Sequence, residues 1–469
     1  MANLFGILSW SSTSLQAQTA RTATANHNLA NANTDGYSRQ RAELEATRPA
    51  EMEGANYLGR GAGLLAVSQA RDPLVERQLA HVLGGSARSD AQAHALEGLS
   101  SLDPDGGAGL VNALDGFYGA LRQLGQAPGD LGSRQATVAA AQQAALAFNR
   151  ASQGVTGQRS AIDVDLAARA TRVNGLAQSL AELNRAVRID SAAGGTPNDL
   201  LDARQKVQDE LVALTGASVV PDSDGNVNLL LPNGGGALVS GNRAATLSTQ
   251  SDPANGGHLA VWLTPVDGSP AGAVKPGGLG GAMGGLLDAR DGALLTAQTS
   301  LDTLAFDWAT AVNTQHRAGF GLDNVSNRDL FAVSATTNGA AASLSVLAAV
   351  AGDPRQLAAA SSANAPGDAG NLFGLVQTES AALSAGQDVF DGIAAAIAGY
   401  GSAVETARTS SARDGAVKDQ LFSLRESTSG VSVDEELVAL TTAQRGYEAI
   451  MKVLQTTDQM LQTLLDLKK

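Results

Sequence analysis

Two segments at opposite ends of this 469-residue chain share one apolar period, and neither contains proline. In residues 1–33, Leu8, Leu15, Thr22 and Leu29 stand seven apart, beside a weaker row at Leu4, Ser11, Gln18, Ala25 and Ala32. In residues 431–467, Val433, Leu440, Tyr447, Leu454 and Leu461 repeat that spacing, with Ala443, Ile450, Thr457 and Leu464 beside them. A heptad repeat fits a helix with one narrow apolar seam, the pattern of a coiled coil. At 1.5 Å per residue each helix would be roughly 50 Å long. The matched lengths predict that the two helices pair, with both chain ends at one pole. Thr22, Gln18, Gln444 and Asp458 weaken the seams. A helix with a weak seam is marginal alone and needs neighbours.

Between the ends, helical spacing runs over 71–102, 109–126, 131–155, 158–190 and 197–215. The last begins at Thr196-Pro197, read as an N-cap followed by proline at the first helical position. Residues 217–276 change character. Turn formers at Pro221, Asp222, Asn233, Gly241, Asn255 and Asp267 alternate with short β-forming runs at 227–231 and 259–263. Turn signals about every ten residues indicate a small all-β unit. Helix resumes at 285–318 and again at 378–413. The expected architecture is a multidomain α+β chain: a discontinuous α-helical stalk with terminal coiled-coil helices and an inserted small all-β domain. The expected units are 1–45 with 429–469, 46–216 with 277–428, and 217–276.

Composition narrows the function. The chain carries 32 basic and 46 acidic residues, a net charge of −14, which suits neither nucleic acid nor an anionic membrane face. Cysteine is absent, which removes disulfides, thiolate metal sites and a cysteine nucleophile. With 53 glycines, 86 alanines and few aromatic residues, packing by Leu, Val and Ala rather than by large rings is expected. The first twenty residues hold no Lys or Arg and do not read as a secretory signal peptide. No run of eighteen apolar residues occurs, so no membrane insertion is expected.

Catalytic signatures are missing. There is no phosphate-binding loop, no His-Glu-x-x-His and no Gly-x-Ser-x-Gly. Residues 222–226 resemble the start of a calcium loop, but Val227 and Asn233 stand where Gly and Glu are needed, so a turn between strands is expected. The glycine cluster 277–285 lacks dinucleotide-binding spacing and reads as a connector. His27 and His316 read as satisfied or exposed histidines. No catalytic residue, metal site or cofactor is expected, and the chain reads as a non-enzyme.

One stretch is richer. Residues 26–40 read Asn-His-Asn-Leu-Ala-Asn-Ala-Asn-Thr-Asp-Gly-Tyr-Ser-Arg-Gln. Asn and Asp compete with helical hydrogen bonds and Gly36 accepts left-handed dihedrals, so the helix should stop near Asn33. A helix end does not need asparagine at 26, 28, 31 and 33. Asn28 and Asn31 share a helix face, where their amides could bond laterally to another subunit.

This stretch closely resembles the N-terminal motif of the bacterial flagellar axial proteins, the rod, hook and hook-associated family, whose pattern is Asn-Asn-Ile-Ala-Asn-x-Asn-Thr-x-Gly-Tyr. Here His27, Leu29 and Asp35 replace the usual Asn, Ile and Pro. Ser38-Arg39-Gln40 narrows the match to the hook-associated branch. Residues 429–437, Gln444 to Tyr447 and Leu461 to Leu465 resemble the C-terminal helix of the same family. Gly284 to Arg290, 301–306, Asn313 to Phe320 and Asp329 to Phe331 resemble the segment where the hook-associated proteins re-enter their stalk.

The resemblance implies a structural subunit at the junction between hook and filament. It further implies self-assembly with identical subunits, contacts to the hook protein and to the second junction protein FlgL, and a FlgN-like export chaperone on the C-terminal helix. Export would use the flagellar type III channel without a cleaved signal. Assembly would rest on Leu8, Leu15, Asn28, Leu29, Asn31, Asn33, Gly36 and Tyr37, and on Val433, Leu437, Leu440, Tyr447, Ile450, Leu454, Leu461 and Leu464. The terminal helices would be poorly ordered in the free subunit and would form an inner tube on assembly. Two rivals remain: another axial protein such as a hook or distal rod subunit, and a secreted adhesin or enzyme carried by the β insert.

Overall fold

The computed structural model describes residues 2–52, 56–102 and 108–466. Helix α1 (Ala2–Ala30) opens the chain. Strands β1 (Gln40–Ala46) and β4 (Ala62–Gln69) form an antiparallel pair, with β2 (Ala50–Met52) and β3 (Asn56–Leu58) paired between them. Then come α2 (Pro73–Leu102), α3 (Ala108–Leu124), α4 (Leu131–Ala192) and α5 (Asn198–Thr215).

The β insert holds two antiparallel sheets. One has the order β5-β6-β7-β8, built from Ser218–Pro221, Val227–Leu231, Gly236–Ser240 and Arg243–Ala244. The other has the order β11-β10-β9, built from Gly272–Ala273, Leu259–Thr264 and Thr246–Ser251. Helix α6 (Gly281–Asp288) continues through one π-helical turn (Ala289–Ala293) into α7 (Leu294–Ala318). Short pieces follow: β12 (Phe331–Ala332) paired with β13 (Ser345–Val346), α8 (Ala340–Ser343), α9 (Ala348–Gly352) and α10 (Gly370–Gln377). The chain closes with α11 (Val389–Ser429) and α12 (Val433–Asp466). Among the described residues no helix is long and apolar enough to cross a membrane.

The spine is α4, 62 residues and so about 93 Å long. The expected break at 156–157 does not occur. Gly157 is exposed with nothing near it, and a lone glycine weakens a helix without ending it. The Asp130 carboxylate caps the start of α4, accepting from the Ser133 backbone N–H at 2.7 Å. Pro197, expected inside α5, instead occupies its N-cap position. Helix α11 starts at Val389 and runs on to Ser429, beyond the expected 378–413.

Two cores flank the spine. The first joins Leu79, Leu96, Leu166 and Leu211 of the helices to Leu229, Val239, Val261 and Leu263 of the insert, so the β unit shares the helices' core. The second is ring-rich, against the expectation from composition. Phe117, Tyr118, Phe148 and Phe331 surround Trp308, whose indole N–H donates to the Tyr118 hydroxyl at 2.9 Å. The rings are scarce in the chain but gathered in one place.

The glycine cluster is a crossing point. A Cβ on Gly216 would meet Gly280 Cα at 2.7 Å, and one on Gly285 would meet the Arg88 carbonyl at 2.1 Å. Helices α5, α6 and α2 therefore approach backbone to backbone, and the left-handed φ of Gly216 and Gly281 turns the chain there. A connector was expected at 277–285; its glycines are also packing surfaces.

Candidate assembly site where the chain ends meet

The last turn of α1, the loop 31–39, the β1–β4 hairpin, the start of α5 and the start of α12 converge on one polar knot. Asn28 is its hub, 1% exposed. Its amide donates to the Gln40 carbonyl at 2.8 Å and accepts from the Gln40 N–H at 2.9 Å and from the Tyr37 hydroxyl at 2.7 Å. That amide is engaged inside the chain, so the lateral bond to another subunit is not open to Asn28. Asn31 also bonds locally, donating to the His27 carbonyl at 3.0 Å and accepting from Thr34. Gly36 takes φ of +80°, the left-handed turn that lets Tyr37 fold back. Burial, then Asp199, Asp202 and Glu436, push the Tyr37 hydroxyl far up, so it stays protonated and donating. Asn33 is exposed and makes no such contact.

Each residue of Ser38-Arg39-Gln40 has a partner. The Ser38 N–H donates to Asp202 at 3.1 Å, and the Ser38 hydroxyl accepts from Arg71 at 3.0 Å. Arg71 also pairs with Asp202. Arg39 reaches α12: its guanidinium donates to Glu436 at 2.7 Å and Glu435 at 2.6 Å, and its backbone N–H donates to the Ser429 carbonyl at 2.8 Å. Gln40 donates to Asp199 at 3.0 Å. Asn198 donates to the Val67 carbonyl of β4 at 2.8 Å. The motif therefore ties both terminal helices to α5 and the hairpin. Sequence reading missed the hairpin, Asp199, Asp202, Arg71 and the Glu435–Glu436 pair. The Asp199/Asp202 spacing at a helix start was a visible signal; the distant partners were not.

Beyond the knot, α1 and α12 pack along each other. The buried residues of both helices are small: Ala17, Thr24 and Ala25 on α1, and Ala443 and Thr457 on α12, with Glu436 at the start of α12; Gln18 of α1 lies against Gly446 of α12. Leu8, Leu15 and Leu29 are half-buried, as are Leu440, Ile450, Leu454 and Leu461. Val433, Leu437, Tyr447 and Leu464 lie exposed, outside the intrachain seam. The row 436–443–450–457 is the one that is most covered, and the row beside it runs along the margin, with Leu440, Leu454 and Leu461 half-buried and Val433 and Tyr447 exposed; Leu464 continues the covered row but is exposed. Val438, Met460 and Leu465 add to the exposed apolar surface of α12.

Residues weighed for chemistry have structural partners. His316 is fully buried; its Nδ1–H donates to the Arg328 carbonyl at 2.7 Å and its Nε2 accepts from the Ala358 N–H at 2.9 Å. Burial pushes its pKa down to about 4, so it is neutral. Asp222 closes the β5–β6 turn, accepting from the Asp224 and Asn226 N–H groups, each at 2.9 Å. His258 bonds Asp163 at 2.6 Å, and Arg290 from the π turn pairs with the same carboxylate, fastening the insert to α4. His27 makes a bond of 3.2 Å to Asp199.

The chain is similar to known proteins over most of its length. A family model for the flagellar hook-associated protein FlgK helical domain matches residues 96–331. One for the flagellar basal body rod FlgEFG protein C-terminal region matches residues 425–467. The chain is 25% identical to flagellar hook-associated protein 1 of Escherichia coli strain K12, over 97% of this chain and 98% of that one. It is 25% identical to the Bacillus subtilis strain 168 protein of the same name, over 99% of both. The hook junction protein FlgK from Burkholderia pseudomallei superposes with a TM-score of 0.51 at 28% identity, over 55% of this chain and 47% of that one.

Proposed function

This chain belongs to the flagellar hook-associated protein FlgK family, and from that premise we propose that it is a structural subunit of the flagellum at the junction of hook and filament, assembling through its paired terminal helices. The observation that carries the assembly step is α12. Its inner row of small residues lies on α1, and Val433, Leu437, Tyr447 and Leu464 stay exposed. An exposed apolar stripe on a helix marks a partner surface. Copies of the same helix pair around a common axis would bury it. The intrachain seam is thin, so ordering of both helices is completed by neighbouring subunits. Asn28, Tyr37 and Arg39 set the angle at which the pair leaves the body.

The finer partners belong to this proposal: the hook protein on one side, FlgL on the other, and a FlgN-like chaperone covering the α12 stripe before export through the type III channel. No residue is assigned a catalytic role. The rival reading of an enzyme on the β insert finds no grouped, unspent side chains there; Asp222, Asn255 and His258 serve turns and the contact with α4 and the π turn.

Leu454→Asp or Leu461→Asp places a carboxylate in the half-buried seam, where an unpaired charge is strongly disfavoured. The expected result is loss of assembly and motility with the two cores intact by circular dichroism. Normal motility in both variants would overturn the seam.

A further inference from the structure

Helix α11 lies antiparallel along α2, and polar side chains tie the two together at intervals. Arg408 pairs with Glu97, Ser411 bonds Asp90, and Asp414 accepts from Ser89 at 2.6 Å. From there to the joint with α12, Arg425 is the only side chain of α11 that reaches the body by a hydrogen bond or ion pair among the described residues. Its Nε pairs with Glu76 of α2 at 3.2 Å, and its Nη1 donates to Asp209 of α5 at 3.2 Å. One turn further on, the Ser429 carbonyl accepts the Arg39 N–H. The three charged groups therefore hold the last stretch of α11 just before α12 begins.

All three are mostly buried, with side chains exposed 14% at Arg425, 14% at Glu76 and 18% at Asp209. Their charges do not cancel, because two carboxylates share one guanidinium. Both Glu76 oxygens are closed to water and neither accepts a hydrogen bond, so Arg425 alone offsets that charge. Asp209 accepts from the Gln205 amide at 2.6 Å, and Gln205 in turn accepts from Arg71 at 3.4 Å. The other charges nearby are spent: Arg71 on Asp202, Lys206 on Asp35 and Arg172 on Glu210. Lys418, two turns before Arg425, and Arg77 on α2 pair with neither carboxylate. Burial pushes the Asp209 carboxyl above its ordinary 3.8; Arg425 and Gln205 oppose the rise and Glu76 adds to it.

We propose that Glu76, Asp209 and Arg425 form a proton-operated latch: with both carboxylates ionised the end of α11 is held loosely, and one proton taken from water onto the pair removes the excess charge and seats that end on the body. A carboxyl that takes up its proton more readily in the seated state than in the released one favours the seated state as pH falls, and that gain is lost as pH rises. The latch adjusts how firmly the joint to α12 is anchored without touching the apolar stripe of α12. It is a property of the single chain and stands apart from the assembly reading above.

Amide hydrogen exchange of the purified full-length protein, followed over residues 418–429 and corrected for the intrinsic effect of pH, tests the latch. Wild-type protection is expected to rise severalfold between about pH 7 and about pH 5, and Asp209→Asn to abolish that rise. At about pH 7, Asp209→Asn and Glu76→Gln, both close in shape to the native side chains, should each protect the segment better than wild type, whereas Arg425→Gln should leave it less protected. An ordinary buried ion pair behaves otherwise, because removing one partner strands the other charge and loosens the structure. Loosening by either carboxylate variant overturns the latch. So does wild-type protection that is equal at the two pH values, or a rise that persists in Asp209→Asn.

Discussion

At the scale of single residues, asparagine, buried or half-buried, is the recurring fastener. Asn28 holds the N–H and C=O of Gln40, Asn174 those of Leu247, Asn184 those of Val227, and Asn313 those of Phe331, all at 2.7–3.0 Å. A primary amide presents one acceptor and one donor pair, so it can stand in for a neighbouring strand. Each backbone group left unpaired by its removal would cost about 1–3 kcal/mol. Asn28 was conspicuous in the sequence because it sits among other asparagines. Asn184 was not, since its partners lie 43 and 57 residues away. His316 makes the second core sensitive to acid. Its folded pKa of about 4 lies below the ordinary 6.5, so the unfolded chain takes up a proton first as pH falls. Its contribution is complete above pH 6.5 and is lost progressively down to about 4, amounting to about 3 kcal/mol. His316→Gln keeps one donor and one acceptor without a titrating ring. Denaturant unfolding across that window should show a shallower loss in the variant, and an identical slope would contradict the assignment.

At the scale of elements, legibility followed local pattern. Most helices were evident from apolar periodicity, and the β insert from its turn residues, because both signals are local. The hairpin was not, because β4 carries Leu64, Leu65 and Val67 without alternation, and the bulge explains why. The continuity of α4 was also hidden, since Gly157 reads as a break unless its surroundings are known. The two glycine classes give opposite expectations. Gly157→Ala meets nothing within 4 Å and should stabilise by about 0.5–1 kcal/mol through helix propensity. Gly285→Ala would drive a methyl into the Arg88 carbonyl and should destabilise by about 2 kcal/mol or more. Thermal melts of the two variants should move in opposite directions; a shared direction would mean that α2 and α6 do not meet as described.

At the scale of the whole molecule, the chain is a two-core body on the α4 spine, with a helix pair attached through one polar knot. The site was half legible. The heptads predicted the α1–α12 pairing, and Leu440, Ile450, Leu454 and Leu461 fall near its seam. Val433, Leu437, Tyr447 and Leu464 are exposed, two of them in the same row as the half-buried Leu440, Leu454 and Leu461, so how deeply each position of a heptad row is covered depends on the partner helix, which one sequence segment does not reveal. The β1–β4 ladder runs across residue 45, so the terminal unit and the body share a hairpin there. This body and helix pair form a structural piece between hook and filament. Deletion of the gene in its native bacterium, with flagellin assayed in the medium and hooks viewed by electron microscopy, tests it most directly. Bare hooks with unpolymerised flagellin released into the medium are the predicted result; intact filaments on swimming cells would contradict it.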